Sequence, residues 1–240
     1  MPNNSSVYLI LWVLLQLLVE VNCQMTPFKP TIASKFFYLD VSVPFNTQQL
    51  SWQDLSNTNI LPSHSGAASC SGGANNNILF LYGGMSSDQT MALVYTFDSQ
   101  NIKWSIPKFM AVNAIRKSDL TGVCLNGIMY LWGGMSGDLF SNDMLILDTI
   151  NLNWKEGSLI KAPTPRCQYG ATLLPNNNII YLGGNDENLT FDPKTLAIDN
   201  MGTALTLSEV YIYDTIHDNW TTKKAVGKIP PNRAGFSTVL

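Results

Sequence analysis

The sequence predicts an all-β protein built from a four-stranded unit that recurs about every fifty residues. Three observations predict it. The runs ILFLYGG, IMYLWGG and IIYLGG end in Gly83-Gly84, Gly133-Gly134 and Gly183-Gly184, spaced 50 and 50 residues apart. Downstream of each pair an Asp stands six residues before a Trp: Asp98 and Trp104, Asp148 and Trp154, Asp214 and Trp220. With 10% aromatic residues, 17 Gly and 12 Pro, the composition suits many short strands joined by tight turns. At 45% hydrophobic and 13% charged, the chain is too apolar to be disordered.

Each unit reads as strands a, b, c and d. Strand a follows a basic residue, as in Tyr169 to Leu174 after Arg166 and in NRAGFSTVL after Arg233; Arg116 and His64 stand in similar places. Strand b is the apolar run before the Gly pair. It is continuously apolar rather than alternating, which suits a sheet covered on both faces. The double Gly suits a turn needing positive φ, or a backbone passing close to another strand. Strand c ends at the Asp, as in Val210 to Tyr213, and the Asp is read as a turn acceptor of backbone N–H groups. Strand d carries the Trp, placed to cover the seam between successive sheets. A looser copy, YLDVSVPFNTQQLSW, holds Asp40 and Trp52 twelve residues apart.

As a set, these motifs resemble the kelch repeat of β-propellers, over about Phe36 to Leu240. They are similar also to the propeller of galactose-oxidase-like proteins, and the whole chain resembles the secreted or membrane-anchored kelch proteins of fungi. The resemblance implies a kelch-type β-propeller of four-stranded antiparallel blades. Residues 64–106, 116–155 and 166–222 make three full blades; 37–54 supplies only strands c and d, and 234–240 only strand a. The ring is therefore expected to be incomplete, since propellers have about four to eight blades. The two partial blades either join as one composite blade or leave open blade faces that drive self-association.

The N-terminus reads as an address. Val7 to Val19 is an uncharged run of 13 residues, and Val21 and Cys23 suit cleavage before Gln24. Residues 1–23 are expected to be a signal peptide and 24–240 the propeller. No Lys or Arg precedes the run, so a signal anchor is the alternative. A secretory route also fits the acceptor sequons at Asn188 and Asn219. Cys70, Cys124 and Cys167 remain, an odd number: buried thiols acting as small hydrophobes, or a Cys70–Cys124 bridge with Cys167 left over. Net charge is −3 and no basic patch is evident, which argues against nucleic acid and against an anionic membrane surface. Membrane attachment would need an anchor in a longer product.

In an a-b-c-d meander the d→a and b→c connections share one end. Arg116, Arg166 and Arg233, the only arginines, are expected to gather there with His64 around the central mouth. Gly184 to Asp214 spans 30 residues, against 14 from Gly84 to Asp98, so the third b→c loop is longest and lies at the same end. Long loops in compact folds often carry function. An arginine ring beside it suits carboxylates of a protein or glycan partner. The resemblance offers the other reading, in which these arginines bond loops of neighbouring blades. Asp186-Glu187 reads as a solvated loop. A copper radical oxidase would need two imidazoles and two phenolates around one metal; only His64 and His217 exist, at opposite ends of their blades. Gly-x-Ser-x-Gly, His-Glu-x-x-His and phosphate-loop motifs are absent, and no spacing indicates a sialidase-like site around the arginines. The expectation is a non-catalytic binding or scaffold module with no metal or cofactor. The alternative is a galactose-oxidase-like propeller that lacks, or is separated from, its copper site.

Overall fold

The structure, a computed structural model, describes residues 35–42, 44–109, 114–186, 189–191, 198–201 and 204–240. The signal peptide at 1–23, Glu187 and Asn188 lie outside the described residues. The fold is all-β, and among the described residues one 3-10 turn stands at Ser56–Thr58.

Three four-stranded antiparallel sheets follow one another along the chain. Blade 1 is β3 (Ser65–Gly72), β4 (Ile78–Met85), β5 (Val94–Asp98) and β6 (Lys103–Ser105). Blade 2 is β7 (Gly122–Leu125), β8 (Ile128–Trp132), β11 (Met144–Asp148) and β12 (Asn153–Glu156). Blade 3 is β13 (Gly170–Leu173), β14 (Asn178–Leu182), β17 (Glu209–Asp214) and β18 (Asn219–Lys224). A two-stranded sheet, β1 (Phe37–Leu39) with β2 (Trp52–Asp54), precedes them. Two hairpins ride on the b→c connections: β9 (Met135–Ser136) with β10 (Leu139–Phe140) in blade 2, and β15 (Leu189–Phe191) with β16 (Ile198–Met201) in blade 3. The innermost strands β3, β7 and β13 lie side by side. The ring is not closed.

Register explains the burial. In blade 2, Tyr130 pairs with Ile146 and Trp132 with Met144, so these four share the face toward blade 3, and all are buried. Met129, Leu147 and Trp154 share the opposite face, toward blade 1. The seam between blades 2 and 3 is aromatic. Trp132 lies 4.9 Å from Tyr169, 5.0 Å from Tyr181 and 5.3 Å from Trp220, ring centre to ring centre. Burial and edge-to-face geometry each favour such packing, at about 1.5–3 kcal/mol per large apolar side chain buried. A second cluster, with Phe36, Leu61, Phe97 and Trp104, packs blade 1 against the chain before it.

Cys70 on β3 and Cys124 on β7 form a disulfide, joining the inner strands of blades 1 and 2; Cys167 is a buried free thiol. Among the described residues no sheet lies beyond blade 3. Its outward face pairs Ile180 with Ile212 and Leu182 with Val210, and all four are only half-buried. Residues 234–240, expected as a strand, form none. Phe236 and Thr238 nevertheless lie against Gly170 of β13, and the Thr238 hydroxyl donates to the Ala171 carbonyl at 2.7 Å. The segment thus sits where an inner strand belongs, and among the described residues no second strand of its own blade pairs with it.

Candidate functional site

Two columns of residues line the end where the d→a and b→c connections meet. In the first, the backbone turns into the left-handed region once per repeat: Gly66 (φ 66°), Asp119 (φ 55°), Gln168 (φ 51°) and Gly235 (φ 64°). These positions are linked in series, because the Asp119 N–H donates to the Gly66 carbonyl at 2.8 Å, Gln168 to Asp119 at 2.8 Å, and Gly235 to Gln168 at 2.9 Å. They form an arc of backbone hydrogen bonds from blade to blade.

The second column lies two residues earlier: His64, Lys117, Arg166 and Arg233. Its shared duty is done by carbonyls. Gly84 N–H donates to the Lys117 carbonyl, Gly134 to Arg166 and Gly184 to Arg233, at 2.9–3.1 Å. The Gly pairs exist for this contact. A Cβ on Gly83, Gly133 or Gly183 would stand 2.1, 2.8 or 2.7 Å from the same three carbonyl oxygens. All six paired glycines have positive φ.

This register corrects one expectation. Lys117, not Arg116, occupies the repeat position in blade 2. Counting back from the Gly pair misleads, because the a→b turns differ in length; blade 2 uses a two-residue Asn126-Gly127 turn with both φ positive. Arg116 turns instead to blade 1, donating to the carbonyls of Gly83 (3.2 Å), Met91 (2.5 Å) and Ala92 (3.0 Å). It holds the b→c loop of blade 1 to the start of blade 2.

The side chains of the second column diverge. His64 Nδ1 lies 2.8 Å from the Pro62 carbonyl. Lys117 is fully buried and meets the Asp143 carboxylate at 3.2 Å; burial pushes its pKa down, and Asp143 opposes that. Arg166 is 4% exposed. It donates to the Thr164 and Gly183 carbonyls at 3.1 and 3.3 Å, and its guanidinium lies 4.7 Å from the Tyr211 ring and 5.9 Å from Trp132. Neither Lys117 nor Arg166 is placed to receive a ligand. Arg233 is exposed, with one bond from Nε to the Pro231 carbonyl at 3.3 Å. The three arginines therefore do not converge as a ring of equivalent donors.

Around the mouth stand Asp119, Gln168 and Asn185, whose roles the sequence reading missed. The Asn185 amide donates to the Gln168 side-chain oxygen at 3.1 Å. Asn185 also bridges Cys167 and Ala204 through its backbone, and the Arg233 N–H donates to the Leu205 carbonyl. The base of the long blade 3 loop is thereby fixed beside Arg233. Burial, with the Asp119 charge nearby, pushes the Cys167 thiol up to about 12, so it is not a ready nucleophile.

The repeat residues at the other end are turn builders. Asp98, Asp148 and Asp214 each accept two backbone N–H groups, from the second and third residues on, and one side-chain donor: Asn101, Asn151 and His217. Trp104 packs on Phe36, Trp154 on Tyr82 and Trp220 on Trp132, each reaching the sheet before its own. Asn219 is exposed at the start of β18, with Thr221 exposed two residues on. Among the described residues no three of His, Cys, Asp and Glu group as metal ligands.

No curated protein matches the chain. A family model described as the KLHDC2/KLHL20/DRC7 Kelch-repeats domain matches residues 33–240, which span the whole of the described structure. Kelch domains of this kind mediate protein interactions. With its Gly pairs, repeated turn aspartates and seam-covering tryptophans, the chain belongs to the kelch-repeat family.

Proposed function

We propose that this propeller is a non-catalytic binding module of the secretory route, engaging a protein partner through the end that carries the mouth. One observation carries the reading: Arg233, the only exposed member of its column besides the half-buried His64, stands beside the fixed base of the longest b→c loop. An exposed guanidinium next to a projecting hairpin suits carboxylates on a partner surface. A glycan bearing a carboxylate offers the same chemistry and is the second ligand to try. The other groups at this end are committed to the fold: Arg116 and Arg166 to carbonyls, Lys117 to Asp143.

The Cys70–Cys124 disulfide supports an oxidising compartment, and the exposed sequon at Asn219 supports passage through the glycosylating route. His64 bonds Pro62 before β3, while His217 bonds Asp214 in the β17–β18 turn, so the two imidazoles sit at opposite blade ends and share no metal. That supports the non-catalytic reading.

The test is capture of partners from culture medium by the intact chain and by two variants. One is Arg233→Ala; the other replaces residues 187–203 with a short Gly-Ser link. Selective loss of one partner by both variants, with unchanged melting, supports the reading. Equal capture by all three removes it. N-terminal sequencing and glycosidase treatment of the secreted material check the signal peptide and the glycans at Asn188 and Asn219; a retained Met1 defeats cleavage.

A further inference from the structure

We propose that the Cys70–Cys124 disulfide is an exchange site for a small thiol, which enters a cleft at the end opposite the mouth and attacks the Cys124 sulfur. This site is independent of binding at the mouth. Its placement comes first. Cys70 stands two residues before Gly72 at the end of β3, and Cys124 two before Asn126 in the β7–β8 turn. The bridge therefore lies by the a→b turns. Gly72 shows which way that face points, since a Cβ on it would meet the Thr149 hydroxyl oxygen of blade 2 at 2.6 Å. Cys70, on the same face two residues back, points across the seam between blades 1 and 2.

Access comes second. A cleft of about 410 Å³ opens between the a→b turns of the two blades, and Cys124 lines it. Small-ligand clefts have volumes of roughly 300–1,000 Å³. Cys70 does not line this one and is 3% exposed, whereas Cys124 is partly exposed. The two sulfurs of one bond are thus unequal, and approach from solvent reaches Cys124 first. Ser71, Asn76 and Asn126 bring a hydroxyl and two amides to the edge of the cleft, and Ile150 gives it an apolar wall. Among the described residues none of its lining side chains is charged. Neutral groups that both donate and accept suit the backbone of a small peptide thiol.

The exchange balances with the entering thiol as its only reagent. Its thiolate attacks Cys124 Sγ, a new S–S bond forms there, the Cys70–Cys124 bond breaks, and Cys70 leaves as a thiolate that takes up a proton. The small thiol is oxidised and Cys70 is reduced. The freed Cys70 thiol stays beside the new bond and reverses the step by attacking Cys124 Sγ and expelling the small thiol. Burial of Cys70 opposes its departure as an anion, so the step is slow as well as directional. The seam survives the interval, because it has another tie at the same end. Gly73 N–H donates to Thr149 Oγ1 at 2.9 Å, and the Thr149 hydroxyl donates to the Gly127 carbonyl at 2.6 Å. Exchange therefore needs no unfolding, and Cys167, 1% exposed, takes no part.

The native full chain is incubated with reduced glutathione, quenched in acid and mapped by peptide mass spectrometry. The expected adduct is on Cys124, with Cys70 free. An adduct on Cys70, equal adducts on both, or none at all overturns the site. Alkylation of Cys167 in the native chain reports opening of the whole fold and should be far slower than the adduct; equal rates mean that exchange goes through unfolding, which also overturns it. Two variants measure the asymmetry without the exchange. Cys70→Ser leaves Cys124 free, and Cys124→Ser leaves Cys70 free. With an aromatic disulfide as reagent, Cys124 in the first should react at least about tenfold faster than Cys70 in the second. Equal rates or the reverse order overturn the assignment. Ile150→Trp, a change at a position 50% exposed, narrows the cleft and should slow the Cys124 reaction several-fold with melting unchanged. An unchanged rate overturns entry through the cleft.

Discussion

Gly83→Ala is the sharpest probe of how the blades are joined. Gly83 has φ +70°, and a Cβ there would stand 2.1 Å from the Lys117 carbonyl oxygen, on the first segment of the next blade. Three costs combine. Holding Ala in the left-handed region costs about 1–2 kcal/mol. The overlap falls on backbone, which cannot rotate away, and overpacking of this kind costs about 1–3 kcal/mol. Relief by separation would lengthen the 2.9 Å bond from Gly84 N–H to the Lys117 carbonyl, which contributes about 0.5–1.5 kcal/mol. The sum is about 3–6 kcal/mol, a fall in Tm of roughly 10–20 °C for a chain of this size. The control is Gly137→Ala. Gly137 has φ +59° with nothing within 4 Å of its Cβ position, so it carries the dihedral cost alone, a fall of a few degrees. Calorimetry on both variants isolates the contact. Equal shifts would refute the close-approach account of the Gly pair and leave only its conformational freedom.

Four further outcomes are expected. Tyr181→Phe should keep or raise Tm, because the Tyr181 hydroxyl is buried without a partner and such a group costs about 1–3 kcal/mol; a clear fall in thermal melting would mean a hidden bond. Trp220→Ala should destabilise more than Trp154→Ala in urea titration. Trp220 is 1% exposed and bonds the Ser158 carbonyl, whereas Trp154 is half-buried with its indole N–H unpartnered, and full removal of such a side chain costs about 3–5 kcal/mol. Reducing Cys70–Cys124 opens a 54-residue separation, for which chain entropy gives about 4 kcal/mol at most; urea midpoints with and without reductant measure it, and no change means the thiols are not joined. Stability should also fall in acid. Hydrogen bonds from Asn101 and Ser42 hold Asp98 and Asp40 below the ordinary carboxylate value, and those from His217 do the same for Asp214. A carboxylate lowered on folding stabilises above its unfolded pKa, and that contribution is lost as pH falls through the folded one. Tm should therefore drop below about pH 4, less steeply in Asp214→Ala.

What could be read in the sequence divides along a physical line. The Gly pairs were legible because only glycine tolerates both a positive φ and a carbonyl at 2.6–2.8 Å from its Cβ position, as at Gly133, Gly134, Gly183 and Gly184. The turn aspartates were legible because the side chain itself makes the bonds. The second column was not, since its shared bond is made by the backbone, and His, Lys and Arg serve equally well. Basic character at Arg116 was thus no guide to register, and Lys117 took the place. The left-handed column was also hidden: Gly66 and Gly235 hint at it, but Asp119 and Gln168 in the same conformation do not.

The same column shows why the site could not be read from the repeat alone. Arg166 and Arg233 have one repeat position and one backbone duty, yet one is buried and the other exposed. Arg166 is enclosed by Trp132 of the blade before and Tyr211 from strand c of its own blade. Arg233 has Leu182 in the first place and, since the sheet it begins has no strand c among the described residues, nothing in the second. Its exposure follows from what surrounds it among the described residues, not from the residue itself. A sheet docked beyond blade 3 would enclose it as Arg166 is enclosed.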